Sequence, residues 1–253
     1  MVCIERRNRE TLTFRSPAVV SGANEADLRI LIDVSSMDRR TLSLLVFQIL
    51  SKCTSRRTNL FFMYAPSLFT LPAKKLIPVE FSGPVNDLLG GEPKDPRSPT
   101  VLFLGLGYEL GLALGVVETF EPARVLVYAP RGLDKNFDRQ VDKANLPLFS
   151  DGRYVDRIEY SLTAPANALI DLKDRFLSMR ERAQIVFVPL GPKLFAAMAI
   201  LCGYIYWPDI CVWRMSSRLD EQNAQREADG TLTGFRLQID LDTTSGQHPY
   251  RAS

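Results

Sequence analysis

Residues 100–131, TVLFLGLGYELGLALGVVETFEPARVLVYAPR, decide the fold. Residues 100–104 are a short continuous apolar run, the mark of a strand covered on both faces. Gly105-Leu-Gly-Tyr-Glu-Leu-Gly leads from that run into a helical pattern lasting to about Thr119, which Glu121-Pro122 stops. Residues 124–128 (RVLVY) form a second apolar run and end at Ala129-Pro130-Arg131-Gly132. Strand, helix and strand within one short stretch make a β-α-β unit, whose crossover is expected to be right-handed.

The same grammar extends in both directions. Upstream, residues 28–34 (LRILIDV) and 59–64 (NLFFMY) predict buried strands. Between them Ser36-Met-Asp-Arg starts a helix whose apolar face carries Leu42, Leu44, Leu45, Phe47, Ile49 and Leu50 down to Lys52. Residues 66–99 are rich in Pro and Gly and predict loop with one edge strand. Downstream come an amphipathic helix over 133–146, a short strand over 153–160 and a helix over 165–180. A buried strand over 184–188 (QIVFV), a helix from Pro189-Leu-Gly-Pro-Lys to about Tyr206 and a last core strand over 210–215 complete the series.

The expected fold is therefore α/β: a single Rossmann-like, mostly parallel doubly wound sheet over residues 26–217. Residues 1–25 read as a polar, irregular N-terminal arm. Residues 218–253 read as a polar linker, an edge strand over 234–241 and a tail.

Composition narrows the function classes. With 31 basic and 29 acidic residues the net charge is +2, which does not indicate a dedicated nucleic-acid binder. Cys3, Cys53, Cys202 and Cys211 are widely spaced, so neither a zinc site nor a disulfide framework is indicated and reduced thiols are expected. The first residues, MVCIERRNRETLTF, lack an apolar stretch, and the longest apolar segment, 194–207, is short of a bilayer span. These features predict a cytoplasmic protein without a membrane partner.

In open parallel sheets ligands bind at the carboxyl ends of the strands, where strand order reverses. That rule selects Asp33, Ser35 and Ser36; Gly105, Gly107, Tyr108 and Glu109; Arg131; Gly191, Pro192 and Lys193; and Arg214. In Gly191-Pro192-Lys193 glycine permits close approach, proline suits a first helical turn, and the helix terminus with lysine favours an anion. A plain connecting turn fits the tripeptide equally well. Gly105, Gly107 and Gly111 form G-x-G-x-x-x-G, one residue longer than the dinucleotide fingerprint, and Arg131 stands where that fingerprint expects an acidic residue. Asp33, Ser35 and Ser36 could contact a ligand or cap the following helix. Glu109 could be an acid or base, or simply answer the helix dipole. His248, the only histidine, lies in the tail, so neither histidine-based catalysis nor a metal site is expected, and no catalytic residue is assigned.

The order of elements, with IDVSS (32–36) after the first strand and FVPLGPKLFAAMA (187–199) after a late one, resembles the ligand-sensing CARF and SAVED domains of bacterial antiphage defence systems. The resemblance spans roughly 28–217 and implies that Gly191, Pro192 and Lys193, with Asp33 to Ser36, contact a cyclic or mononucleotide. It also implies a separately encoded effector, such as a nuclease or ATPase, since too little chain follows Ser217 for a fused one. A homo-oligomer is compatible with this picture. The alternatives are a nucleotide-processing enzyme using Asp33 and Glu109, an NADPH-dependent reductase using the Gly105 loop, and an interaction subunit with a relic Rossmann core.

Overall fold

From residue 100 onward the apolar periodicity becomes structure almost element for element. The structure, a computed structural model, describes residues 3–8, 11–15, 27–52, 57–72, 78–92, 95–150, 155–216 and 227–240. In chain order the elements are β1 (Cys3–Asn8), β2 (Thr11–Arg15), β3 (Asp27–Asp33), α1 (Arg39–Lys52), β4 (Arg57–Tyr64), β5 (Phe81–Pro84), β6 (Thr100–Gly105), α2 (Leu112–Phe120) and β7 (Arg124–Arg131). They continue as α3 (Lys135–Ser150), β8 (Val155–Ser161), α4 (Ala166–Met179), β9 (Gln184–Pro189), α5 (Lys193–Ile205), β10 (Ile210–Ser216) and β11 (Thr233–Asp240). A 3₁₀ turn, Asp87–Leu89, follows β5.

The main sheet has six strands in the order β5-β10-β9-β6-β7-β8. All neighbours pair in parallel except β5, which runs antiparallel to β10 at the edge. The chain lays β7 and β8 on one side of β6, then returns to lay β9 and β10 on the other, so strand order reverses between β6 and β9. Strand side chains alternate between faces. Leu102, Leu104, Val125, Val127, Val186 and Val188 share a cluster with Val116 and Val117 of α2 and Val141 of α3. Phe103, Leu126, Tyr128, Ile185 and Phe187 share the other with Leu172 of α4 and Phe195 of α5.

The expectation of a single sheet is corrected. The strands read at 28–34 and 59–64 do not join the main sheet; with β11 they form a separate three-stranded sheet in the order β11-β4-β3. The physical reason lies in α5. Every residue from 194 to 204 is buried, so one side of this helix packs on the main sheet and its other side needs a second apolar cover. Ile30 and Ile32 of β3, Leu60 and Phe62 of β4, Phe235 of β11 and Leu42, Leu45 and Val46 of α1 provide it, all in one cluster with α5. Each large apolar side chain so buried contributes about 1.5–3 kcal/mol.

Two further expectations change. Strand β3 is covered on one face rather than two: Ile30 and Ile32 are buried while Leu31 is 46% exposed. The first residues are not wholly irregular, because β1 and β2 pair antiparallel from Cys3↔Arg15 to Asn8↔Thr11. The strand near the carboxyl end is present as β11 and lies at a sheet edge, antiparallel to β4.

A buried polar cluster sets α1 on α5. The Tyr204 hydroxyl lies 3.0 Å from Ser43 Oγ, and Asn86 Nδ2 donates to it at 2.7 Å. Asn86 Oδ1 accepts from Leu89 N–H at 3.0 Å, which ties the 3₁₀ turn to the same point. Burial raises the Tyr204 hydroxyl above the ordinary tyrosine range. Cys202 and Cys211 are free and buried, and burial pushes their thiols up to about 12 and about 11 respectively, so both stay protonated at neutral pH.

Candidate functional site

The loops after β6 and β9 diverge to helices on opposite faces, and their first residues are held together. Leu190 and Gly191 both donate their N–H groups to the Gly105 carbonyl, at 2.9 and 3.2 Å. Gly191 packs directly on Leu106: a β-carbon there would fall inside the contact radius of the Leu106 carbonyl oxygen and 2.7 Å from its carbonyl carbon. A β-carbon on Gly105 would stand 2.5 Å from Cε1 of Phe195, in the first turn of α5. At Gly107 it would meet the Glu109 carboxylate and stand 3.1 Å from the Leu190 carbonyl oxygen. Gly111 has φ 78, a left-handed backbone that favours glycine, and caps α2. Each glycine of G-x-G-x-x-x-G thus has a local steric reason. Helix α2 opens only after the third of them.

Arg39, the first residue of α1, reaches into this junction from the smaller sheet. Its Nη2 donates to the carbonyls of Leu190 and Gly191 at 3.0 and 3.3 Å. Sequence reasoning missed Arg39. A signal existed: a cation in the first turn of a helix opposes the helix dipole, so Arg39-Arg40 at that place calls for a partner elsewhere. In the loop before α1, Asp33 Oδ1 accepts from Ser35 N–H at 2.9 Å and Oγ at 2.5 Å, while Ser35 Oγ accepts from Ala65 N–H at 2.8 Å. The cap of α1 is Asp38, whose Oδ1 accepts from Thr41 N–H at 2.8 Å, rather than Asp33, Ser35 or the exposed Ser36.

The loops carrying Gly105 to Glu109 and Gly191 to Lys193 therefore meet, and Arg39, which follows the Asp33 to Ser36 loop in sequence, reaches the second of them. Pro192 (φ −52, ψ 140) turns the chain into α5, and its carbonyl accepts from Phe195 N–H at 2.9 Å. Lys193 opens that helix and is half-buried, as is Glu109. Tyr108 is gripped edge-on by Phe69 and Phe137, each ring 5.9 Å away. Behind it the buried Asn145 donates to the Gly107 carbonyl at 2.9 Å. Phe69 and Asn145 were also missed, since they come from a Pro-rich loop and from mid-helix.

Arg131 and Arg214 also bond or stack on residues of other elements. Arg131, at the end of β7, bonds Asp142 at 2.9 Å and Glu159 at 2.6 Å, and Arg157 bonds the same two carboxylates at 2.7 and 3.0 Å. With Lys135, Asp138 and Arg139 it lines an open depression. Arg214 lies over the Phe81 ring of β5 at 3.9 Å.

The Arg131 guanidinium holds the Glu159 carboxyl below the usual glutamate range, and the Glu159 hydrogen bond raises Arg131 further. A carboxyl whose pKa is depressed by folding stabilises the fold above its unfolded pKa and loses that contribution as pH falls through its folded pKa. Glu159→Gln is thus expected to melt about 1–2 °C below the parent at pH 7, the scale of a part-exposed pair, with the gap closing as pH drops below the glutamate range. Thermal melts of both proteins from neutral to acid pH measure this; a gap that widens in acid would contradict it.

Among the described residues no group of three or more His, Cys, Asp or Glu could hold a metal ion, and no helix is long and apolar enough to cross a membrane. His248 and Cys53 lie outside the described residues. No family model matches the chain, and neither the curated proteins nor the solved structures yield a match.

Proposed function

We propose that this chain is a Rossmann-like ligand-sensing or scaffold subunit that holds a nucleotide-like anion where the β6 and β9 loops meet and Arg39 reaches them. It works with a separately encoded effector, as the CARF and SAVED resemblance implies. The Rossmann-like assignment draws support from the reversal of strand order between β6 and β9, the position at which such sheets receive ligands. The observation that carries the functional reading is the pairing of two cations at one turn. Arg39 contacts the carbonyls of residues 190 and 191, and Lys193 begins the helix immediately beyond. Helix α5 adds the positive end of its dipole there.

The N–H groups of Leu190 and Gly191 are spent on Gly105, so an anion is recognised by side chains rather than by a glycine cradle. The reductase alternative draws less from the geometry, because Arg131, the group that would answer a 2′-phosphate, already serves two carboxylates.

Isothermal calorimetry of the full chain against a panel of cyclic oligonucleotides and mononucleotides tests the proposal. At least one member is expected to bind, and Lys193→Ala to weaken it roughly tenfold or more, the scale of one charge-assisted hydrogen bond. No heat from any member, or full affinity in Lys193→Ala, would overturn it.

A further inference from the structure

Among the described residues four strand edges stay open in the two larger sheets, at β5, β8, β3 and β11. Open edges are templates for pairing with another chain, and proteins blunt them with short strands, proline or charge. Strand β5 has four residues and ends at Pro84. The exposed residues of β8 are Arg157 and Glu159, and those of β11 include Arg236 and Gln238. Strand β3 is different. It has seven residues, and among the described residues no strand pairs with its outer edge. Its exposed face carries Leu31, 46% exposed, between Arg29 and Asp33.

The hydrogen-bonding phase of that edge follows from one bond. Val34 N–H donates to Met63 O of β4 at 2.9 Å. Successive residues of a strand turn their N–H and C=O groups to alternate sides. Ile30 and Ile32 therefore serve β4, while Arg29, Leu31 and Asp33 direct theirs to the open edge.

We propose that two copies of the chain pair antiparallel through β3, with Leu31 opposite the partner's Leu31 on the two-fold axis. Charge selects this register. It places Arg29 opposite the partner's Asp33 and Ile30 opposite the partner's Ile32, and its two-fold repeats both pairs. Antiparallel residues must face the same side, so the adjacent allowed registers move the pairing by two and set Leu31 against the partner's Arg29 or the partner's Asp33, and either loses both opposite-charge pairs. The outward-directed groups of residues 29, 31 and 33 then form the ladder between copies. In the smaller sheet Leu31 already stands beside Phe61 of β4. Pairing builds a continuous six-stranded sheet with an apolar row of Phe61, Leu31, the partner's Leu31 and the partner's Phe61. It covers the one exposed apolar side chain of β3.

The register makes a sharp cross-linking test possible. Directly opposed residues whose outward groups bond lie about 5.5 Å apart at Cα, within disulfide reach. The full chain carrying Leu31→Cys is expected to give a covalent dimer on mild oxidation or with a short bis-maleimide. The parent and Arg29→Cys alone are expected to remain uncross-linked, and Arg29→Cys with Asp33→Cys to cross-link again. Sedimentation equilibrium of the parent is expected to give the dimer mass. Leu31→Lys, at an exposed site and checked for an unchanged melt, is expected to raise the dissociation constant roughly tenfold or more. A monomer at the concentrations used for cross-linking would overturn the proposal. So would a dimer in which Leu31→Cys and Arg29→Cys cross-link equally, or in which Leu31→Lys leaves the affinity unchanged.

Discussion

Gly191→Ala is expected to lower stability by about 3–5 kcal/mol, a drop in melting temperature of roughly 10 °C. The added methyl would meet backbone rather than a side chain: the Leu106 carbonyl group, with the Gly107 nitrogen at 3.3 Å. Neither can swing away without breaking the bonds from Leu190 and Gly191 to Gly105 that join β6 and β9. A matched control separates this clash from the general effect of replacing glycine. Gly115 sits inside α2 with nothing within 4 Å of a would-be β-carbon, so Gly115→Ala is expected to raise the melting temperature by about 1–3 °C through helix propensity and reduced unfolded-state entropy. Scanning calorimetry of the two variants decides the matter. A Gly191→Ala protein melting with the parent would mean that the junction is looser than its geometry.

Phe195→Ala is expected to cost about 3–5 kcal/mol. The ring is fully buried, stands 5.3 Å from Tyr128 and 5.6 Å from Tyr160, and lies over Gly105. Its removal opens a cavity between α5 and the main sheet, but also vacates the space a Gly105 side chain would need. Gly105→Ala alone is therefore expected to destabilise, and the double variant Gly105→Ala with Phe195→Ala to be more stable than the sum of the two losses by about 1–3 kcal/mol. Denaturant titration of the four proteins measures the coupling. Simple additivity would show that the ring does not occupy the place above Gly105.

Much of the main sheet could be read from residues 100–216, because each parallel strand there is a buried run bounded by a turn, and each crossover helix shows an apolar face. The meeting of the 105 and 191 loops followed from the rule that parallel strands share a carboxyl edge, whereas the 33 loop ends a strand of another sheet and that rule does not reach it. What could not be read was which loop touches which. Arg39 meets Leu190 across 151 residues of chain, and nothing near Arg39 in sequence names that partner. Arg131 looked available for a ligand, yet Asp142 and Glu159 approach it from α3 and β8. The residues from 28 to 34 looked covered on both faces because Leu31 is apolar like its neighbours, and hydropathy does not distinguish a leucine buried in its own core from one left at an open edge.

By itself the sequence determined most of the strands and helices from β3 onward and their order, though not the β1–β2 pair, together with their helical or alternating period and the ends at which polar loops gather. These properties are local, set by backbone preference and by the side on which apolar residues recur. Only the tertiary structure decided that β3 and β4 form a sheet of their own over α5 and that Arg39 occupies the carbonyl side of the Gly191 turn. It alone decided, too, that the glycines of the Gly105 loop answer the shapes of Phe195, Leu190 and Glu109. A pattern of burial records that a face must be covered. What covers it depends on shape and hydrogen bonding between segments distant in the chain.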